Sequence, residues 1–143
     1  MTTMHHHLYT IVFPIRWADL DAYQHVNHAQ FAIYMQEARI AWLDSVGLPI
    51  DEQPVQFPIV DLHLTFKRPL LFPGNVQVDL YSEKPEGRKW KIHHVLRHTS
   101  DLATECATGT IIAVCLDKAT QKVVLIPETF YRCLVGSDVV REE

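Results

Sequence analysis

Ile15-Arg16-Trp17-Ala18-Asp19-Leu20-Asp21-Ala22-Tyr23-Gln24-His25-Val26-Asn27-His28 runs directly into a helical pattern from Ala29 to Val46. Asn27 is a good N-cap, and Gln30 follows three residues later as in a capping box. Phe31, Tyr34, Met35, Ala38, Trp42 and Val46 recur at helical spacing on one face. Ile33, Ile40 and Leu43 widen that face, so the helix is apolar over much of its circumference. Such a helix belongs inside a wrapping sheet or under an oligomer contact. Gly47 is placed to end it and Pro49 prevents continuation. Its length of roughly 18 residues corresponds to about 27 Å.

Outward from that helix the chain reads as strands. Leu8 to Trp17 is rich in β-branched and aromatic residues, and Pro14 predicts an edge position or a bulge. After a connection at Asp51 to Val55, Gln56 to Leu71 alternates, with Val60, Leu62, Leu64 and Phe66 on one side. Asp61, His63, Thr65 and Lys67 take the other side. Further strands are expected at Val76 to Ser82, Trp90 to Thr99, Cys106 to Leu116 and Lys122 to Ile126. Turns at Phe72-Pro73-Gly74-Asn75 and at Lys84 to Arg88 separate the first of these. A short turn or helix is expected over Thr129 to Val135. One apolar helix is available to cover an antiparallel sheet, which makes an α+β domain. The expectation is five to six strands curled around one central helix in a single domain over 1–143, with frayed tails at 1–7 and 136–143.

Composition narrows the function classes. The 143 residues carry 13 Lys+Arg against 17 Asp+Glu, a net charge of −4. This argues against a general nucleic-acid binder, which presents a basic face. No apolar run is long enough to span a bilayer, and the first residues, with His5, His6 and His7, have no apolar signal core. Cys106, Cys115 and Cys133 match no metal or redox spacing and read as reduced core residues. The expectation is a cytoplasmic protein without membrane insertion or nucleic-acid partner.

The loop before the helix holds the chemistry. Asp19 and Asp21 lie beside a helix N-terminus, whose free N–H groups and positive dipole end can hold a carbonyl oxygen as charge develops on it. One carboxylate can then act as base or nucleophile, while His25 and His28 supply polar support. The bland alternative is a turn with two solvated carboxylates that help to cap the helix. His93, His94 and His98 lie on a strand pattern, with His94 and His98 on one face. Without a helical His pair or paired cysteines, no metal and no cofactor is expected. Arg88, Lys89 and Lys91, with Lys84 nearby, form a basic cluster at a hairpin; Lys67 and Arg68 form another at a strand end. Either suits phosphate groups. Glu37 sits within the apolar helix, where a catalytic role or a salt bridge is open. Tyr34, Met35 and Trp42, at helical spacing, read as core.

Arg16-Trp17-Ala18-Asp19-Leu20-Asp21, then His25-Val26-Asn27-His28, then the helix with Glu37-Ala38-Arg39, resembles the hotdog-fold acyl thioesterases, in particular the 4-hydroxybenzoyl-CoA thioesterase-like group. Leu64-Thr65-Phe66-Lys67-Arg68-Pro69 is similar to that family's second-strand pattern, and the resemblance spans roughly Tyr9 to Tyr131. It implies a sheet curled round one helix, and acyl-CoA as substrate. It also implies homodimers joined sheet edge to sheet edge, or homotetramers made as dimers of dimers, with active sites at the subunit interface. It places the catalytic carboxylate on Asp21. The helix-start residue whose N–H polarises the thioester carbonyl falls on His28, with Asn27 and Ala29 beside it. It matches the CoA-phosphate residues of some members to Arg88 and Lys89. His25 corresponds to the His of plant acyl-carrier-protein thioesterases, whose companion Asn is replaced here by Tyr23. The implied reaction is hydrolysis of acyl thioesters to acid and thiol. The alternatives are a non-catalytic acyl-CoA or acyl-carrier-binding protein and a hotdog dehydratase or hydratase, whose His-Phe-Pro-Gly type loop is missing.

Overall fold

The computed structural model describes residues 5–135. Strand β1 (His6–Pro14) leads through a one-turn 3-10 helix (Trp17–Asp19) into helix α1 (His28–Ser45). A two-residue strand β2 (Val55–Gln56) precedes β3 (Ile59–Phe66), β4 (Asn75–Ser82), β5 (Lys89–His98) and β6 (Ala107–Val114). A second short strand, β7 (Leu116–Asp117), and helix α2 (Glu128–Val135) complete the described chain. The five long strands form one antiparallel sheet in the order β1-β4-β5-β6-β3. Strands β2 and β7 pair separately.

Helix α1 lies across the sheet because its one continuous apolar stripe matches the inward side chains of the strands. Phe31, Tyr34, Met35, Ala38, Trp42 and Leu43 are buried on it, against Val76, Val78, Leu80, Ile92, Leu96 and Ile111. At Gly109 the approach is tight, and an added Cβ would clash with Cε of Met35. The strand needs a residue without a side chain there for the helix to seat. Asn27 caps α1 as expected, its Oδ1 accepting from the Ala29 N–H at 2.9 Å. Tyr34, Met35 and Trp42 are core.

Several expectations change. Strand β1 takes the sheet edge that Pro14 predicts, and its bulge lies between His7 and Tyr9. It stops at Pro14, because Asp19 folds back onto the Arg16 N–H and turns the chain. His6 and His7, expected in a frayed tail, are strand residues paired with β4; the expected tail at 136–143 lies outside the described residues. Lys122 to Ile126 is no strand, contributing a single bridge from Val123 to Leu116. The long alternating segment is shorter than expected and largely exposed, since β3 is the far edge of the sheet. On α1, Ile33, Glu37 and Val46 face outward. Cys106 and Cys115 are buried but Cys133 is half-buried, and none of the three is in a disulfide among the described residues. Among the described residues, no helix is long and apolar enough to cross a membrane.

Candidate functional site

The two aspartates of the loop have different surroundings. Asp19 is buried. Its Oδ2 accepts from the Arg16 N–H at 2.9 Å and from the Tyr34 hydroxyl at 2.7 Å, and its Oδ1 accepts from the Arg16 guanidinium at 3.0 Å. Burial pushes its carboxyl up, but the bonds from Tyr34 and Arg16, with the guanidinium charge, outweigh burial and hold it below the usual carboxylate value. Burial and the neighbouring Asp19 also push the Tyr34 hydroxyl up, so it stays a donor. Asp19 is thus committed to holding the loop against the helix.

Asp21 is half-buried. Its Oδ1 accepts from the Tyr23 N–H at 2.8 Å and the His25 N–H at 3.3 Å, a side-chain turn that fixes the carboxylate on the loop. The loop closes on itself, with the Asp21 N–H donating to the His25 carbonyl and Gln24 at φ 62°. It is tied to the segment after β3 by the Val26 N–H donating to the Leu70 carbonyl at 2.9 Å. Asp21 lines a cavity of about 320 Å³ with His25, His28, Phe31, Phe66 and Lys67. Among the described residues, its Oδ2 has no hydrogen-bond partner.

The helix start offers fewer donors than a bare N-terminus. The Asn27 N–H donates to the Asp19 carbonyl at 2.8 Å, and the Ala29 N–H goes to its own cap. Of the three residues expected to polarise a carbonyl, only His28 keeps an N–H without a partner among the described residues. Asn27 and Ala29 therefore build the site without donating into it. The His25 and His28 side chains are exposed at the cavity.

Arg88 and Lys89 do not join this cavity. Lys89 lines a separate hollow with Glu83, Lys84, Glu86 and Lys91, and Arg88 is exposed on the same hairpin. The cations beside Asp21 are Lys67, paired with Glu105 at 2.6 Å, and Arg68, which has no ion pair among the described residues. Position in the strand-end cluster was the sequence signal for them; that Lys67 and Arg68 adjoin the loop depends on the bridge between His25 and Leu71, which local pattern does not carry.

Two further titratable groupings appear. His94 is fully buried; its Nδ1–H donates to the Gly109 carbonyl at 3.0 Å and its Nε2 accepts from Arg39 at 3.0 Å. Burial and the Arg39 charge push it down to about 3, so it remains neutral; burial lowers Arg39 to about 10. This pair ties α1 to the sheet. His5, Glu83 and His93 bring metal-capable atoms within 4.8 Å of one another, which the strand-face reading of His93 did not foresee. His93 already bonds Glu83 at 2.5 Å, with Lys91 3.8 Å from the same carboxylate oxygen, so that oxygen has two partners within the protein.

The model of the thioesterase-like superfamily matches residues 15–134. The long-chain acyl-CoA thioesterase FadM of Escherichia coli (strain K12) is 24% identical over 110 residues, which cover 76% of this chain and 83% of FadM. Among solved structures, the PA2801 protein of Pseudomonas aeruginosa superposes with a TM-score of 0.82 at 26% identity, covering 87% of this chain and 95% of that one. Slr0204, a 1,4-dihydroxy-2-naphthoyl-CoA thioesterase from Synechocystis, reaches 0.82 at 19% identity, covering 92% and 98%, and shares the fold.

Proposed function

The chain belongs to the thioesterase-like superfamily, and from that premise we propose that it is an acyl-CoA thioesterase whose base or nucleophile is Asp21. The observation that carries this reading is the shared cavity. Asp21, whose Oδ2 has no partner among the described residues, and His28, whose N–H has none among them, line one hollow at a helix N-terminus. The thioester carbonyl oxygen sits on the His28 N–H, where the helix dipole favours the charge that develops in the tetrahedral intermediate. Asp21 takes a proton from water as the water oxygen bonds to the carbonyl carbon. Collapse breaks the carbon–sulfur bond, and the proton leaves with the thiolate. In the nucleophilic route Asp21 bonds to the carbonyl carbon instead, the carbon–sulfur bond breaks to expel the thiolate, and water then hydrolyses the mixed anhydride, freeing Asp21 and the acid while a proton passes to the thiolate. His25, at the cavity rim, supports either route. The test is release of free thiol from a panel of aliphatic and aromatic acyl-CoAs. Binding without turnover across the panel would leave a non-catalytic acyl-binding protein in its place.

The working unit in this reading is a homodimer joined along β3. Among the described residues that strand pairs with β6 alone and leaves its other edge open, with Ile59, Val60, Leu62 and Phe66 between 41% and 59% exposed. An open apolar edge of this kind pairs with another strand or aggregates. Phe66 belongs both to this edge and to the Asp21 cavity, stacking edge-on against Phe31 at 5.1 Å, so the partner would border the site. Leu62→Lys is expected to shift sedimentation from a dimer to the 16.5 kDa chain and to lower activity with it. An unchanged mass would exclude this edge as the interface. A CoA-thioester substrate and three cysteines outside any disulfide fit a cytoplasmic setting.

A further inference from the structure

A second cavity, of about 630 Å³, shares Arg68 and Pro69 with the Asp21 cavity. Its volume is that of a small-molecule site. Leu71 and Phe72 line it while remaining 48% and 42% exposed, and the Trp17 ring, 69% exposed, packs edge-on against Phe72 at 5.9 Å. Exposed flat rings of this kind offer a stacking surface. The His98 ring is engaged at both nitrogens, Nε2 with the Pro73 carbonyl at 3.0 Å and Nδ1 with the Ser100 N–H and hydroxyl. Asp101, also on the lining, uses its Oδ1 to accept from the Ala103 N–H at 3.2 Å. Arg68 is the one lysine or arginine on this lining among the described residues, at the junction of the two cavities.

Resting on the thioesterase reading, we propose that this groove binds the adenosine-phosphate end of coenzyme A, with Arg68 as its phosphate ligand. The thioester sulfur must leave the Asp21 cavity toward a carrier, and the junction at Arg68 and Pro69 is the continuation the cavity provides. Coenzyme A carries a base, which needs a flat apolar surface, and phosphates, which suit a planar guanidinium fork. From the reaction centre outward the groove supplies the guanidinium first and the rings beyond it, the order in which coenzyme A carries its diphosphate and its base. A carrier protein's arm has one phosphate and no base, so it would leave the Trp17–Phe72 surface unused.

The test is calorimetric binding of coenzyme A, adenosine 3′,5′-bisphosphate and pantetheine to the full chain, without turnover. Coenzyme A is expected to bind at least ~10-fold tighter than pantetheine, with the bisphosphate competing for its site. Arg68→Glu is expected to weaken coenzyme A and the bisphosphate by roughly 10- to 100-fold and Arg68→Gln by less, the range of a lost charge-assisted contact. Arg68 is exposed, so both variants fold. Coenzyme A no tighter than pantetheine would overturn the proposal in favour of a protein carrier. Unchanged coenzyme A affinity in Arg68→Glu, with loss in Arg88→Glu, would overturn it in favour of the hairpin. A fall in sedimenting mass with Arg68→Glu would overturn it by making the groove an interface between copies. Because binding is read without chemistry, Arg68-dependent binding with no hydrolysis would defeat the thioesterase reading alone. Hydrolysis of an N-acetylcysteamine thioester alongside Arg68-insensitive binding would defeat this one alone.

Discussion

Asp21→Asn is expected to lower kcat/KM for acyl-CoA hydrolysis by roughly 10²- to 10⁴-fold, the contribution of a positioned general base. The substitution suits the site because Asn keeps the carbonyl that the turn requires. Its Oδ1 still accepts from the Tyr23 and His25 N–H groups, so the loop and the melting temperature should hold. What disappears is the charge and basicity of the oxygen facing the cavity. The His28 N–H is untouched and sustains a residual rate above that of water alone. Because the loss is of chemistry and not of ground-state binding, kcat should fall while KM changes little. Hydrolysis at the wild-type rate would remove Asp21 from the mechanism.

What was readable in advance follows from how local each signal is. The limits of α1 differ by one residue at either end from the pattern, because the Asn27 cap and the Gly47 turn are short-range chemistry. The two-layer architecture was equally readable, since one apolar helix had only one sheet to cover. Exposure of β3 was not, because alternation predicts two faces and cannot tell an edge strand from an inner one. Nor could the loop alone show that Asn27 and Ala29 spend their N–H groups on Asp19 and on the cap. The basic clusters looked alike in sequence, and only the bridge from His25 to Leu71 sets Lys67 and Arg68, not Arg88 and Lys89, beside Asp21.

The separation of Asp19 from Asp21 is the least readable point and yields the second large expected effect. Asp19→Ala should destabilise the fold by about 3 kcal/mol, the low end for a buried charge network broken by removal of one partner. The cost arises at Tyr34, whose buried hydroxyl loses its acceptor, and at the Arg16 N–H, which loses its cap. The Arg16 guanidinium is well exposed and water replaces its bond, so it adds little. The folded carboxyl is held below its unfolded value of 3.8, so its contribution is complete above that pH and is lost as pH falls through the lower folded value. Urea midpoints should therefore differ most between wild type and Asp19→Ala near neutral pH and converge in acid. A gap that stays constant down to low pH would mean that the carboxylate charge adds nothing. Assayed cold, where the variant remains folded, Asp19→Ala should keep far more activity than Asp21→Asn, because Asp21 holds its own turn. A folded Asp19→Ala as inactive as Asp21→Asn would move the catalytic carboxylate to Asp19.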